Sequence, residues 1–566
     1  MPDKSNKLIQ FFKEFKKRKV GQVLIAYAGI SAVIIGIIPI IEEELSLPPI
    51  TSTLILILLI IGLPIAGILT WGYQMKSKEE KLPEKEDNKK DKPLPETQIP
   101  PEKSIVVLPF ENISPDPDQE YFSDGLTEEI ITDLSHIHDL LVISRSSAMT
   151  FKGTKKKAME IAQDVNVKYI LEGSVRKDGN DLRITAQLIN STNDSHIWAE
   201  KYTGTLDEVF DIQEQVSKSI VDSLRIKLSS KEQAQILERP FNNVQAYECY
   251  LKARHEYWKW TEEGLKQAEI IIKNGLKNLG ENELFYTALG VVYNTYFDTT
   301  ISKNMAYLHK AEDCAHKIFT LNPNSSYGNL IMGYVHYNRG KVKEAVRYEK
   351  QALKTNPNNY DASVYLSCWI SHLGKGFEAR PIMKKALEAD PLNPLLYGFS
   401  AMIEMYNGEF SLSVNATAKM LSMSPNITIF QYLHAKCLAF NNQYEEVYKL
   451  ADLMIKDSPQ SIWTQATAFL KYALQGDKTK ALQTATDELK NAMKYNTFYP
   501  IMMADKYALI NETTEALFWL DYGINYGCIN YPFLNEYDPF LENIRSDVRF
   551  KKLMKRVKKE WESYEV

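Results

Sequence analysis

Five prolines, Pro323, Pro357, Pro391, Pro425 and Pro459, stand 34 residues apart, and no other feature constrains the fold so tightly. Gly340, Gly374, Gly408, Asn442 and Gly476 keep the same interval. So do two sets of small residues: Gly333, Ser367, Ala401 and Ala435, and Ala345, Ala379 and Ser413. A period of that length accommodates two helices of about a dozen residues each and the turns that join them. Each ladder has a physical task. The first small position lets helix A approach helix B, and the second is its counterpart on B. The glycines bend the A–B turn, and each proline stops helix B before the next pair starts. Ala352 and Ala386 admit the following pair, with Met420 and Met454 in their place further on. Such pairs cannot bury their apolar faces alone and must stack into a solenoid.

The pattern resembles the tetratricopeptide (TPR) repeat and predicts an all-α solenoid over residues 240–535, closed by a capping helix within 536–566. Ala246 to Leu279 reads as a degenerate opening repeat, and Leu284 to Pro323 as one with an insertion. The resemblance implies peptide binding along the concave face of the A helices. Its lining positions in four successive repeats are Leu330, Tyr334, Tyr337 and Asn338; Val364, Cys368, Ser371 and His372; Gly398, Met402, Met405 and Tyr406; and Tyr432, Lys436, Ala439 and Phe440. The candidate partner groove comprises Tyr334, Tyr337, Asn338, Met402, Met405, Tyr406, Lys436 and Phe440. Aromatic and Met side chains suit apolar peptide anchors, although the same side chains also serve as inter-repeat core. A clamp for a C-terminal carboxylate is not supported, because only Lys436 and Asn338 fit it, in separate repeats.

Ahead of the repeats the periodicity changes. Ile105-Val106-Val107-Leu108 is a buried-strand run ended by Pro109, and Thr127 to Ser135 reads as an amphipathic helix. Leu140 to Ser144 is a further strand, and a helix follows near Lys157 to Asn166. Three strands come next, about Lys168 to Arg176, Leu182 to Asn190 and His196 to Tyr202, with Asp178-Gly179 as a hairpin bend. Thr205 and Glu208 form a capping box for the helix after them. The blocks KSIVVLPFENISPDPDQEYFSDGLTEEIITDLS and YILEGSVRKDGNDLRITAQLI resemble the TolB-like amino-terminal domain family over about Lys103 to Leu228. The expectation is a small α/β (α+β) domain at 103–230. The resemblance implies TPR neighbours, often with a nucleotide cyclase, a kinase or a winged-helix domain, none of which is found here.

The first hundred residues read differently. Val20 to Ile41 is apolar and uncharged, about 33 Å long as a helix, and a second such run extends from about Thr53 to Tyr73. These predict a two-helix transmembrane hairpin over 20–75, after a basic cytoplasmic segment, 1–19. Phe11 to Ala28 resembles a bacterial membrane module placed ahead of TPR proteins. Lys13, Lys16, Lys17, Arg18 and Lys19 on one flank and Lys76, Lys78 and Lys81 on the other put both ends in the cytoplasm. Residues 76–102, charged and rich in proline, read as a linker. The expected location is the inner (cytoplasmic) membrane, multi-pass.

Function classes can be excluded in turn. A net charge of −5, without a basic stripe, argues against nucleic acid. Cys249, Cys314, Cys368, Cys437 and Cys528 are far apart, so neither zinc nor a disulfide framework is expected. Asp124, Glu128 and Glu129 could form a carboxylate group, but Thr127-Glu128-Glu129 also suits a helix N-terminus. His136 and His138 lack a third ligand, Gly153-Thr154-Lys155 lacks the phosphate-loop spacing, and Ser144, Ser146 and Ser147 lack a nucleophile elbow. No catalytic, cofactor or metal residue is assigned, and no enzyme activity is expected. The expected role is a membrane-anchored scaffold that binds a protein or peptide partner, with homo-oligomerisation left open. The alternative is a regulatory receptor or accessory subunit of a nucleotide-signalling enzyme or transcription factor, with ligand sensing by residues 103–230.

Overall fold

The structure, a computed structural model, describes residues 100–564 apart from 238, 240, 242 and 299–303. Its six strands are β1 (Ser104–Val107), β2 (Glu111–Asn112), β3 (Leu141–Val142), β4 (Tyr169–Asp178), β5 (Asp181–Asn190) and β6 (Ser195–Thr205). They form one sheet in the order β3-β1-β4-β5-β6, with β2 pairing β4 off that path. β1 runs parallel to β3 and β4, while β4, β5 and β6 are an antiparallel meander. Burial follows this split. All four residues of β1 are buried, as a strand covered on both faces requires, whereas β5 alternates exposed and buried from Asp181 to Ala186. Gly179, at φ 61°, turns β4 into β5 so that Asp178 pairs with Asp181.

Helices α1 (Glu120–Ser135), α2 (Arg145–Met149), α3 (Ala158–Val165) and α4 (Val209–Ser223) accompany the sheet. α1 starts at Glu120 rather than at Thr127, because the Asp116 side chain caps the 3-10 turn Pro117–Gln119 that leads into it. Thr127 therefore lies mid-helix, accepting from the Phe110 N–H at 3.0 Å and donating to the Ser123 carbonyl at 2.8 Å. Thr127-Glu128-Glu129 is thus no helix N-terminus. The Thr205–Glu208 box does form, the Glu208 carboxylate accepting from the Thr205 N–H at 2.7 Å.

Beyond a short α5 (Ser230–Ile236), helix pairs take over. The opening pairs are Val244–Tyr257 with Glu262–Leu279, and Glu283–Asp298 with Ala306–Leu321. A helices then begin at Ser326, Tyr360, Pro394, Thr428 and Ile462, every 34 residues, which makes this region a TPR-like solenoid. Ser325, Asn359, Asn393 and Ser461 cap four of them with their side chains. The turns carry the expected left-handed residues, Gly340, Gly374, Gly408, Asn442 and Gly476, with φ between 59° and 77°. The regular spacing then stops. The fifth B helix ends early, at Thr484, and Tyr499–Leu509 with Thr513–Asn525 forms the last pair. Irregular turns at Phe533–Tyr537 and Pro539–Ile544 lead to the final helix, Val548–Glu562.

Two large apolar cores result. One runs from Ile105 of the sheet through the opening pairs to Val335; the other runs from Val342 to Val557 of the final helix.

The expected fold class with two transmembrane helices is corrected, and the multi-pass inner-membrane location with it. Among the described residues no helix is long and apolar enough to cross a membrane. The longest, Glu262–Leu279, carries Glu262, Glu263, Lys266, Glu269, Lys273 and Lys277, charges that hydrocarbon does not accept. The hairpin at 20–75, the segment at 1–19 and the linker up to residue 99 lie outside the described residues. Among the described residues the fold is mostly helical, a TPR-like solenoid joined to a small sheet domain.

Candidate functional site

The predicted groove residues lie on the A helices of the first, third and fourth regular repeats. Tyr334, Tyr337 and Met402 are half-buried there, while Asn338, Met405, Tyr406, Lys436 and Phe440 are buried. Tyr337 stacks on Trp369 at 4.8 Å, and Tyr334 meets Tyr365 edge-on at 4.5 Å. What buries the others is the chain itself, returning from its C-terminal repeats. Phe498 and Phe533 reach Tyr406 at 5.7 and 4.9 Å, and Phe540 reaches Phe440 at 4.6 Å. The Tyr526 hydroxyl donates to the Asn338 carbonyl at 2.8 Å.

Polar groups lie inside this closure. Lys436 Nζ sits 2.8 Å from Asp505, both about 2% exposed, and 4.6 Å above the ring of Phe498. Lys506 donates to the Tyr432 hydroxyl and to the Met502 carbonyl, each at 2.8 Å, and burial pushes its amine down to about 7. Burial, together with neighbouring Asp505, raises the Asp538 carboxyl well above the usual range. His372, ringed by Tyr337, Tyr406 and Phe498, is pushed down to about 4 by burial, although its Nδ1 lies 2.8 Å from the Cys368 carbonyl. Asp505, Lys506 and Asp538 escaped sequence reasoning because they lie where the period has lapsed. The weak signal was a charged residue inside an apolar helix.

A second polar site joins the sheet domain to the solenoid. Glu128 bridges Arg145, at 3.0 Å, and Arg254, and Arg145 lies 4.4 Å over the Trp258 ring. Asp124 pairs with Lys152 at 2.6 Å and faces His255 at 3.7 Å; burial would raise its carboxyl, but those partners hold it below the usual range. Burial and the nearby Asp133 and Glu128 push Glu129 up to about 8. Asp390, fully buried at the turn after Gly376–Ala389, accepts from Ser146, from Ser147, from the Tyr360 hydroxyl at 2.8 Å and from the Asn393 amide at 2.8 Å. The Ser144 N–H donates to the Ala389 carbonyl at 2.7 Å.

The serines and carboxylates weighed for chemistry are therefore joined by docking contacts: Ser146 and Ser147 meet a carboxylate and no histidine. His136 is half-buried and His138 projects outward, its side chain 86% exposed. Among the described residues no group of His, Cys, Asp and Glu could hold a metal ion.

Comparison with known proteins adds three findings. Residues 101–226 match the family described as HilA/YgeH-like transcriptional regulator, second domain. The putative adenylate cyclase 3 of Rhizobium meliloti (strain 1021) is 42% identical over 160 residues, 28% of this chain and 27% of that protein. The chain thus spans about a quarter of that relative's length. Among solved structures, the type IV pilus biogenesis factor PilW is 19% identical, with a TM-score of 0.33, over 39% of this chain and 98% of its own. A tetratricopeptide repeat protein from Parabacteroides merdae ATCC 43184 gives 14% and 0.32 over 50% and 100%, and YrrB, a TPR protein with an unusual peptide-binding site, 16% and 0.26 over 34% and 95%. The repeat assignment rests on the chain's own ladder and helix pairs.

Proposed function

We propose that this chain is a non-enzymatic TPR scaffold. Its helical repeats, over 240–535 with a cap in 536–566, hold a protein or peptide partner. Residues 103–230, TolB-like in their sequence blocks, are a docking or sensing module. The observation that carries this reading is the half-buried aromatic and Met face of the A helices, where Tyr334 and Met402 occupy one ladder position and Tyr337 lies a turn away. The test is an affinity pull-down with the full chain and its Tyr334→Ala/Tyr337→Ala variant, each checked for an unchanged melting profile. A partner held by the first and lost by the second supports the scaffold. A partner held equally by both removes this face from the reading.

A second reading draws on the match of residues 101–226 to a transcriptional-regulator domain and on the likeness to a putative adenylate cyclase. In it the sheet domain senses a small ligand on behalf of a nucleotide-signalling enzyme or transcription factor. Nucleotides that raise the melting temperature of the full chain by several degrees would favour it.

A further inference from the structure

The segment Tyr526–Phe540 behaves in the fold as a bound peptide does. It follows the last repeat pair where another A helix is due, yet only residues 531–537 are helical there, most of them as the π turn Phe533–Tyr537, before the start of a 3-10 turn. It crosses the A-helix ends of four consecutive repeats in order. The Tyr526 hydroxyl donates to the Asn338 carbonyl at 2.8 Å, and the Asn530 amide to the Ser371 carbonyl at 3.0 Å. Both are helix-end carbonyls; that of Ser371 also accepts the Gly374 N–H at 3.0 Å. Phe533 then packs edge-on against Tyr406 at 4.9 Å, and Phe540 against Phe440 at 4.6 Å. Asn530, Phe533, Asp538 and Phe540 are all buried.

The turn glycines open the floor of this track. A Cβ on Gly340 would stand 2.8 Å from the Tyr526 carbonyl oxygen, one on Gly374 3.0 Å from Asn530 Oδ1, and one on Gly408 3.1 Å from the Tyr537 ring. The same addition at Gly476, one repeat beyond Asn442, would meet nothing within 4 Å. Close approach at these glycines thus falls on three of the repeats that the segment crosses, with Trp561 Nε1 nearer still, 2.8 Å, at Gly374.

We propose that this groove is a peptide-binding site already holding an internal ligand, Tyr526–Phe540, and that its external partner is a protein segment of the same character. That partner carries two hydrogen-bond-donating side chains four residues apart, then two aromatic anchors seven residues apart with an acidic residue between them. The inference rests on the scaffold reading and names its partner class. Since the internal segment is tethered, it competes at high effective concentration, and an outside peptide gains entry in proportion to the fraction of open groove.

The test uses the full chain and a fluorescent synthetic peptide of the sequence Tyr526–Phe540, read by anisotropy. Phe533→Ala weakens the internal segment and is expected to bind the peptide at least ten times tighter than the intact chain does. Tyr526→Phe, which removes one hydroxyl and keeps the ring, is expected to gain about threefold. A scrambled peptide should not bind. Equal binding by intact chain and Tyr526→Phe, or none by either, overturns the proposal even if Phe533→Ala does not fold. A natural partner that the peptide does not displace also overturns it while leaving the scaffold reading intact. Peptide binding without any natural partner does the reverse.

Discussion

The two cores place their ion pairs differently. Around the sheet domain, apolar side chains fill the interior, and the ion pairs of Glu128, Arg145, Arg254, Asp124 and Lys152 keep some contact with solvent. In the C-terminal core, Lys436, Asp505, Lys506 and Asp538 are each at most 2% exposed. A buried pair of this kind adds little net stability, because desolvation offsets its Coulomb attraction, yet losing one member strands the other. The contrast suggests that the first region is held by packing and the second is specified by register: only one alignment of the returning chain brings Asp505 to Lys436.

The largest effect should come from breaking that alignment. Lys436→Met leaves Asp505 without its ion-pair partner and should destabilise the chain by about 3–5 kcal/mol in urea unfolding. Lys436→Met/Asp505→Leu should recover most of the loss; if it does not, the pair contributes more than register. Next comes Asp390→Ala, which deprives Ser146, Ser147, Tyr360 and Asn393 of their acceptor. A loss of about 3 kcal/mol is expected, with faster proteolysis at residues 144–149 and an unchanged melting step for the C-terminal core. A single shared transition would show that the two cores unfold together.

A smaller contrast separates two turn glycines with similar φ, 74° and 71°. Gly476→Ala meets only the backbone strain, about 1–2 kcal/mol, whereas Gly374→Ala also crowds Trp561 and Asn530 and should cost roughly 1 kcal/mol more. Equal losses would mean that the C-terminal segment yields easily.

The smallest effects are pH slopes of opposite sign. His372 is pushed down to about 4, so between that value and 6.5 the unfolded chain binds more protons, and stability falls as pH falls. Glu129 is pushed up to about 8, so above 4.5 the folded chain binds more protons, and stability falls as pH rises through 8. His372→Phe should flatten the acid limb of the stability profile and Glu129→Gln the alkaline limb, each by roughly 1 kcal/mol or more. A limb that stays unchanged in its variant would transfer that titration to another buried group.

Much of the solenoid was legible because its information is local. The spacing of Gly340, Gly374, Gly408 and Gly476 is a statement about individual turns, and each adopts the positive φ its position requires. The hairpin at Gly179 and the box at Thr205 are of the same kind. The start of α1 was missed because Asp116 capping outweighs the turn propensity of a Pro-Asp stretch. The covering of the candidate groove residues was not legible: Tyr406 and Phe440 carry no mark in their own repeats of the phenylalanines, at 533 and 540, that close over them.

The sequence by itself determined the repeat, its period and the change to a sheet domain ahead of it, since periodicity and turn chemistry act over a few residues. Only the tertiary structure decided that Asp390 anchors the sheet domain, that Lys436 meets Asp505 and that Tyr526 returns to Asn338, 188 positions away. Contacts at such separations depend on the accumulated twist of every repeat between them, and no local pattern encodes that sum.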